Sequence, residues 1–320
     1  MKPIVTIIIC TYNRAGLLRS ALESLVNQSF DKAAYEIVIV DNASQDGTAA
    51  VMKEFQQAHS SPNIVLAHEP KQGLAHARNT GCKVANGRYL AFIDDDCIAA
   101  EDWLEHLVDC YEHVQPQPWS VGGLVLPKYA EPIPTWFKDS YETDTWGDDA
   151  RFLMHGESFT GCNMSFRNEV LHRFGGFDAT FGMKGEQLAL GEDTQVYRKM
   201  WTTAGKTCTF YFTPRAIVYH TIEPYKIRVS YQLKRALSSG QASSALSRSG
   251  RMSGRWMLCM GSIGLILWYG CKALNPIKHG YWQRWAIESL YPVACQVGKV
   301  LGLFGFQLNF RQRKAISPVF

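Results

Sequence analysis

No GxxxxGK[ST] phosphate loop occurs in this 320-residue sequence, and GxGxxG is missing from its first strand-to-helix turn. Any nucleotide must therefore be held by something other than those glycine-rich cradles. CxxC spacing is absent too. The nine cysteines (Cys10, Cys82, Cys97, Cys110, Cys162, Cys208, Cys259, Cys271, Cys295) are odd in number and scattered, which reads as reduced thiols in a cytosolic compartment.

Acidic residues are scarce in the last hundred positions, where 2 Asp+Glu stand against 14 Lys+Arg, a balance of about +12. The first 220 residues hold the other 27 acids and 19 bases, about −8, which the overall +4 conceals. A basic segment of this kind is drawn to an acidic partner, either nucleic acid or an anionic membrane leaflet. Its Trp-rich apolar runs carry few interleaved bases and make no phosphate-tracking groove, so nucleic acid is not expected.

The N-terminal run "IVTIIIC" is short and β-branched and leads into "TYNR" without a small-residue cleavage site. It reads as a first strand, not as a secretory signal.

What is present begins with apolar bulk: 36.0 kDa and 46% hydrophobic residues suffice for one large core with a smaller appendage. The first hundred residues alternate between β-branched runs ("VTIIIC", "YEIVIV", "NIVLA", "YLAFI") and stretches with helical spacing, such as Leu17, Leu18, Ala21, Leu22, Leu25 and Val26. That alternation predicts an α/β fold, a mostly parallel sheet covered on both faces. Polar residues follow each run directly: "TYNR", "DNAS", "HEPKQG" and "DDDC". In an open parallel sheet these carboxyl-end loops converge on one ligand site.

Residues 116–149, rich in Pro, Trp and acids, read as loops with a strand at "SVGGLVL", and the Ser- and Gly-rich residues 238–255 read as a joint.

In "FIDDDC" the run "GRYLAFI" ends on three adjacent carboxylates, which raise one another's proton affinity unless a cation or donors offset them. Asp94 and Asp96 are two positions apart, so in an extended segment they point the same way and suit one hard cation, Mg2+ or Mn2+. Asp95 would face elsewhere, toward a hydroxyl. The same triplet would equally suit the N-terminus of the helix "AEDWLEHLVDCYEHV". Mg2+ is commonly completed by substrate phosphates, which points to a nucleotide diphosphate.

The ordered set "TIIICTYNR", "EIVIVDNASQDGT", "GLAHARNTG", "YLAFIDDDC", "GCNMSF", "GGFD" and "GEDTQVYRKMWTTAG" resembles a family 2 glycosyltransferase over roughly residues 3 to 222. The resemblance implies a glycosyltransferase type A fold, a Rossmann-like mixed sheet that binds a nucleoside diphosphate sugar in one half and a saccharide or lipid-linked acceptor in the other, with inversion at the anomeric carbon. It places Thr11, Tyr12, Asn13, Arg14 and Asp41 on the nucleotide, and Arg78 near the donor, where the alternative is a solvated helix charge. Asp94 and Asp96 match the family's DXD, and Asp95 would reach the ribose. Asp193 matches the catalytic base, with Glu192 orienting it or touching the acceptor. N-capping of the following helix is compatible with that role.

Related folds place a histidine near the metal or diphosphate where His220 closes "RAIVYH"; a satisfied surface histidine is the other reading. Gly161, Cys162 and Asn163 match the lining of the sugar pocket, Cys162 as a small packing residue. Trp136 and Trp146 would stack on sugars or simply pack. A nucleotidyltransferase and a non-catalytic sugar-nucleotide or glycan-binding subunit are the competing readings, and the intact "DDD" and "GED" argue against the second.

These motifs divide the chain into a catalytic domain, residues 1–225, and a basic helical region, residues 226–320. There "WMLCMGSIGLILWYGC", Trp256–Cys271, is an uncharged run of sixteen residues, below the roughly 20 that span a bilayer. Arg248, Arg251 and Arg255 precede it and Lys272, Lys278 and Arg284 follow, so flanking charge selects no orientation. Interfacial aromatics (Trp256, Trp268, Tyr269, Tyr281, Trp282, Trp285) and "QVGKVLGLFGF" complete a pattern for peripheral or monotopic attachment to the cytoplasmic face of an anionic membrane. Packing against the catalytic domain, or against a second copy in a homodimer, is the alternative.

Overall fold

The computed structural model describes residues 2–185, 187–245, 252–273, 281–306, 308 and 310–311. Arg248, Arg251 and Lys278 lie outside the described residues, as do the side chains of Arg255, Trp256, Cys271 and Lys272. Two compact units are present: Met1–Lys128 with Asp139–Thr180 and Glu192–Thr221, and Tyr129–Lys138 with Phe181–Gly191 and Ile222–Phe320.

The first unit opens with β1 (Val5–Thr11), α1 (Ala15–Val26), β2 (Tyr35–Asp41), α2 (Thr48–Ala58), β3 (Asn63–His68), α3 (Leu74–Val84) and β4 (Tyr89–Asp94). β5 (Cys97–Ala99), α4 (Trp103–His113), β6 (Ser120–Tyr129), β7 (Arg151–Phe152), β8 (Met164–Arg167) and α5 (Asn168–Arg173) follow. α6 (Glu192–Ala204) and β10 (Phe210–Ile222) complete it. The sheet runs β3-β2-β1-β4-β8-β6-β10-β5, with β7 against β10. β3, β2, β1 and β4 are mutually parallel, and β8 pairs antiparallel with both β4 and β6.

Every residue of β1 and β2 is buried, as their unbroken apolar runs require once both faces are covered. On one face the stripe Leu18, Ala21, Leu22, Leu25 and Val26 of α1 packs with Met52, Phe55, Trp103, Leu104 and Leu107. On the other, Ala75, Ala77 and Cys82 of α3 meet Val196, Tyr197, Met200 and Trp201 of α6. α3 lies close to the sheet at Gly81, where a Cβ would come 2.5 Å from Ile8 Cγ2.

The second unit contains β9 (Gln187–Leu188), α7 (Pro224–Ile227), α8 (Val229–Ala245), α9 (Met252–Ala273), α10 (Trp282–Trp285), a π-turn at Ala286–Leu290, α11 (Tyr291–Leu303) and β11 (Phe310–Arg311), which pairs with β9. The expected joint is a helix as far as Ala245. Its small residues serve contact instead of flexibility. A Cβ on Gly240 would stand 1.9 Å from Cys295 O, and one on Gly298 would stand 2.1 Å from Leu237 O, so α8 and α11 approach almost backbone to backbone. Among the described residues no helix is long and apolar enough to cross a membrane.

Candidate active site

The carboxyl ends of β1, β2 and β3 are laced together. Asn13 takes a left-handed φ of 51°, which asparagine tolerates, and its N–H donates to Ser44 Oγ (3.0 Å) while its Oδ1 accepts from Gln45 N (2.7 Å). The Arg14 N–H donates to Thr48 Oγ1 (3.1 Å), and half-buried Tyr12 sits in the same turn. Asp41 accepts from Ser44 N at 3.0 Å and lies 3.4 Å from His68 Nδ1. Thr11, Tyr12, Asn13, Arg14 and Asp41 thus form one edge, as their positions after β1 and β2 predict.

The three carboxylates that follow β4 face three different partners. Asp94 accepts from Arg78 Nη2 at 3.1 Å, buried Asp95 accepts from Thr11 Oγ1 at 2.7 Å, and Asp96 lies 3.7 Å from Arg14 Nη1 and 3.5 Å from His220 Nε2. Burial pushes the Asp95 carboxyl up to about 7 against the pull of Arg14. The expectation that Asp94 and Asp96 share a direction fails because β4 ends at Asp94 and the chain turns through Asp95 and Asp96 into β5. That turn also detaches the triplet from α4, so it does not serve as that helix's acidic N-terminus.

Ligand atoms of Asp96, Cys97 and His220 lie within 4.8 Å of one another. β5 and β10 pair antiparallel with Cys97 opposite His220, and Thr221 N donates to Asp96 O at 2.8 Å, which fixes the turn. A carboxylate and an imidazole so placed are suitable donors for a divalent cation, while Asp94 stands apart, turned to Arg78.

Arg78 is fully buried on α3. Besides Asp94, its guanidinium donates to Glu192 Oε1 at 2.8 Å and to the Gly161 carbonyl at 3.2 Å. Burial opposes its charge, but Asp94, Glu192 and Asp193 outweigh that cost and hold its pKa up. The arginine is neither a solvated helix charge nor free for a diphosphate; its fork is committed to protein oxygens.

Buried Glu192 opens α6, and burial with the adjacent Asp193 charge pushes its carboxyl up while Arg78 pulls it down. The more exposed Asp193 accepts from Gly161 N at 2.9 Å and from Thr194 N at 2.6 Å. Gly161 can hold both neighbours only without a side chain, since a Cβ there would stand 2.5 Å from Arg78 Nη2.

Asn163 does not line a sugar pocket. It is fully buried, accepting from the Trp103 indole N–H at 2.9 Å and donating to the carbonyls of Leu124 (3.0 Å) and Ala216 (2.9 Å). Such a saturated amide holds β6 and β10 in register and has no face left for a ligand. Cys162 is buried with its thiol on that of Cys97. Trp146 donates to Ser158 O, and Trp136 packs edge-on against Phe137.

The family model of Glycosyl transferase family 2 matches residues 6–129. A glucosyl-dolichyl phosphate glucuronosyltransferase of Haloferax volcanii is 27% identical over 242 residues, 74% of this chain and 75% of that protein. The chain carries a family 2 glycosyltransferase domain at residues 6–129. A dolichyl N-acetyl-alpha-D-glucosaminyl phosphate 3-beta-D-2,3-diacetamido-2,3-dideoxy-beta-D-glucuronosyltransferase of Methanococcus voltae is 27% identical, covering 82% of this chain and 80% of its own. The same fold appears in mannosyltransferase PcManGT of Pyrobaculum calidifontis, solved with GDP-Man and Mn2+, at a TM-score of 0.63 and 20% identity over 94% of this chain and 88% of that one.

In this glycosyltransferase Thr11–Arg14, Asp41, Arg78, Asp94–Asp96, Gly161–Asn163, Glu192, Asp193 and His220 belong to the first unit, whereas Trp136 belongs to the second. Cys97 was not among them. Its only sequence signal is its place directly after the carboxylates, and the register with His220 comes from strand pairing.

Proposed function

We propose that this family 2 glycosyltransferase moves a sugar, with inversion, from a nucleoside diphosphate sugar to a saccharide acceptor carried on a lipid phosphate. The observation that carries this reading is Asp193, held by two backbone N–H groups at the mouth of α6, beside a buried arginine that also holds Asp94 at the end of β4.

The Thr11–Arg14 turn and Asp41 would hold the nucleotide, Asp41 accepting from a base N–H. Asp96 and His220 would hold Mg2+ or Mn2+, which when bound neutralises charge on the departing diphosphate. Asp193 would take the proton of the acceptor hydroxyl as its oxygen bonds to the anomeric carbon and the bond to the diphosphate breaks. A carboxylate is a weak base for an alcohol, so the proton must move late, with acceptor and donor held in line. Arg78 and Glu192 would position: they fix the start of α6 and the Gly161 turn, and so both partners of Asp193.

The two dolichyl-phosphate-linked relatives support a lipid-borne acceptor. So does the second unit, which exposes Met260, Leu267, Trp268, Trp282, Phe304 and Phe306 within a basic region. We place this surface in the interface of an anionic, cytoplasmic membrane face, where aromatic and basic residues are favoured. A nucleotidyltransferase has less support, since "TYNRAGLL" replaces the glycine-rich, basic phosphate loop that such enzymes need.

The test pairs two variants with calorimetry of donor binding and mass spectrometry of products from a panel of nucleotide sugars. Asp193→Asn should bind donor and lose transfer; Asp96→Ala should lose the metal dependence of donor binding. Transfer retained by Asp193→Asn would refute the assignment of the base.

A further inference from the structure

The cation site carries a donor that a magnesium or manganese enzyme does not need. Cys97 lies directly behind Asp96, its Sγ donating to Asp96 Oδ1 at 3.7 Å, while His220 Nε2 stands 3.5 Å from Asp96 Oδ2. All three ligand atoms fall within 4.8 Å of one another. Around a tetrahedral Zn2+, with Zn–S about 2.3 Å and Zn–N or Zn–O about 2.0–2.1 Å, neighbouring ligand atoms stand roughly 3.3–3.7 Å apart. The separations of 3.7 Å and 3.5 Å, to the two oxygens of the Asp96 carboxylate, fall in that range.

The pairing of β5 with β10 produces this arrangement. Cys97 and His220 are directly opposed in antiparallel register, so their side chains leave the same face of the sheet, and the turn at Asp96 folds its carboxylate over both. Hard cations take oxygen ligands and leave a thiol aside, whereas Zn2+ and Co2+ accept a mixed oxygen, nitrogen and sulfur set.

We infer that Asp96, Cys97 and His220 form a thiolate-containing site that captures Zn2+ or Co2+ with one coordination position left open, in competition with the harder ion of the transfer reaction. Capture replaces the Cys97 S–H bond with an S–metal bond, and the proton passes to the buffer. Cys97 is fully buried, while the side chains of Asp96 and His220 are partly exposed. Cys162, whose thiol touches that of Cys97, supports the ligand from behind. Zn2+ would thereby displace the harder ion that neutralises the departing diphosphate, and the enzyme would be zinc-inhibited. The inference rests on the proposed placement of the cation at Asp96 and His220.

The experiment is a Co2+ titration of the full chain without donor, followed by absorption. The expected result is one equivalent bound with a sulfur-to-cobalt charge-transfer band, absent in Cys97→Ser, kept in Cys162→Ser and abolished by stoichiometric Zn2+. Zinc affinity, read by competition with a chromophoric chelator, should weaken at least tenfold in Cys97→Ser. Should that variant not fold by near-ultraviolet circular dichroism, His220→Gln and Asp96→Asn serve instead, each expected to lower cobalt affinity at least tenfold. A wild-type spectrum without the sulfur band, or a band that survives Cys97→Ser, overturns the inference. Manganese paramagnetic resonance separates the two levels. Mn2+ bound through Asp96 and His220 without a cobalt–sulfur band sinks the thiolate alone, while no divalent ion bound at all, with or without a nucleoside diphosphate, sinks both.

Discussion

Arg78 and Glu192, 114 positions apart in the chain, meet at 2.8 Å in a fully buried ion pair, and the same guanidinium reaches Asp94 at 3.1 Å. One side chain on α3 therefore ties the end of β4 to the start of α6. Removing it strands the buried Glu192 carboxylate, which costs about 3–5 kcal/mol for a broken buried pair, and leaves the partly exposed Asp94 without its guanidinium. Arg78→Met should lose stability of that order in urea denaturation. Arg78→Lys keeps the charge but cannot span Asp94, Glu192 and the Gly161 carbonyl with a single ammonium. It should fold, bind donor with little change and lose most of its kcat; a lysine variant of normal kcat would remove the positioning role.

The parts of this architecture legible in the sequence were those set by local period. Leu18, Ala21, Leu22 and Leu25 mark a helix wherever they occur, and the polar residues after each β-branched run mark the carboxyl edge. What was not legible depends on distant partners. Asn163 reads as a pocket residue beside Gly161 until Trp103, Leu124 and Ala216 arrive from three other elements and saturate it. Asp94 and Asp96 read as a pair until the strand ends between them. The small residues of α8 read as a joint because sequence cannot distinguish glycine used for freedom from glycine used for close approach, as at Gly240.

The charge balance around Arg78 gives a pH dependence. Asp94, Glu192 and Asp193 surround one guanidinium, and burial with the Asp193 charge pushes Glu192 up to about 7. Between the ordinary carboxylate range and about pH 7 the folded chain keeps a proton that the unfolded chain has released. Stability contributed by this group is therefore full at low pH and falls as pH rises through that window. At about 1.4 kcal/mol per unit the effect is at most roughly 3.5 kcal/mol. Melting temperatures from pH 5 to 8 should show a decline in the wild type that is shallower in Glu192→Gln, the remainder coming from buried Asp95, also pushed up to about 7; parallel curves would contradict it.

At Gly161 the constraint is steric. An added Cβ would sit 2.5 Å from Arg78 Nη2, and the arginine cannot retreat without leaving Glu192 or Asp94. Overpacking of this kind costs about 1–3 kcal/mol. Gly161→Ala should lower stability by that amount and reduce kcat more than it raises the donor dissociation constant, because Gly161 N also holds Asp193. An unchanged melt would show that the turn can yield.

Asn163→Ala distinguishes a clamp from a pocket residue. The substitution leaves the Trp103 indole N–H without its acceptor and removes a donor from the Leu124 and Ala216 carbonyls, and a stranded buried group costs about 1–3 kcal/mol. A drop of several kcal/mol in urea denaturation is expected. Unaltered stability with weakened donor binding would return Asn163 to the sugar site.

The second unit supplies the last prediction. On α9, Met260, Ile263 and Leu267 recur at helical spacing with Trp268 beside them, all exposed, while Cys259 and Ser262 on another side of the same helix are buried. Among the described residues no helix is long and apolar enough to cross a bilayer, and the membrane attachment proposed above would lay this face in the interface, apolar residues down and basic residues toward anionic headgroups. Fully burying one large apolar side chain is worth about 1.5–3 kcal/mol, so even partial insertion of four should dominate retention. Replacing Met260, Ile263, Leu267 and Trp268 together by Ser should reduce flotation with anionic liposomes at least tenfold while soluble-acceptor transfer persists. High salt should weaken the wild type through its basic residues but leave a remnant that the fourfold variant lacks. Equal flotation of the two proteins would mean that this face is covered by something other than lipid.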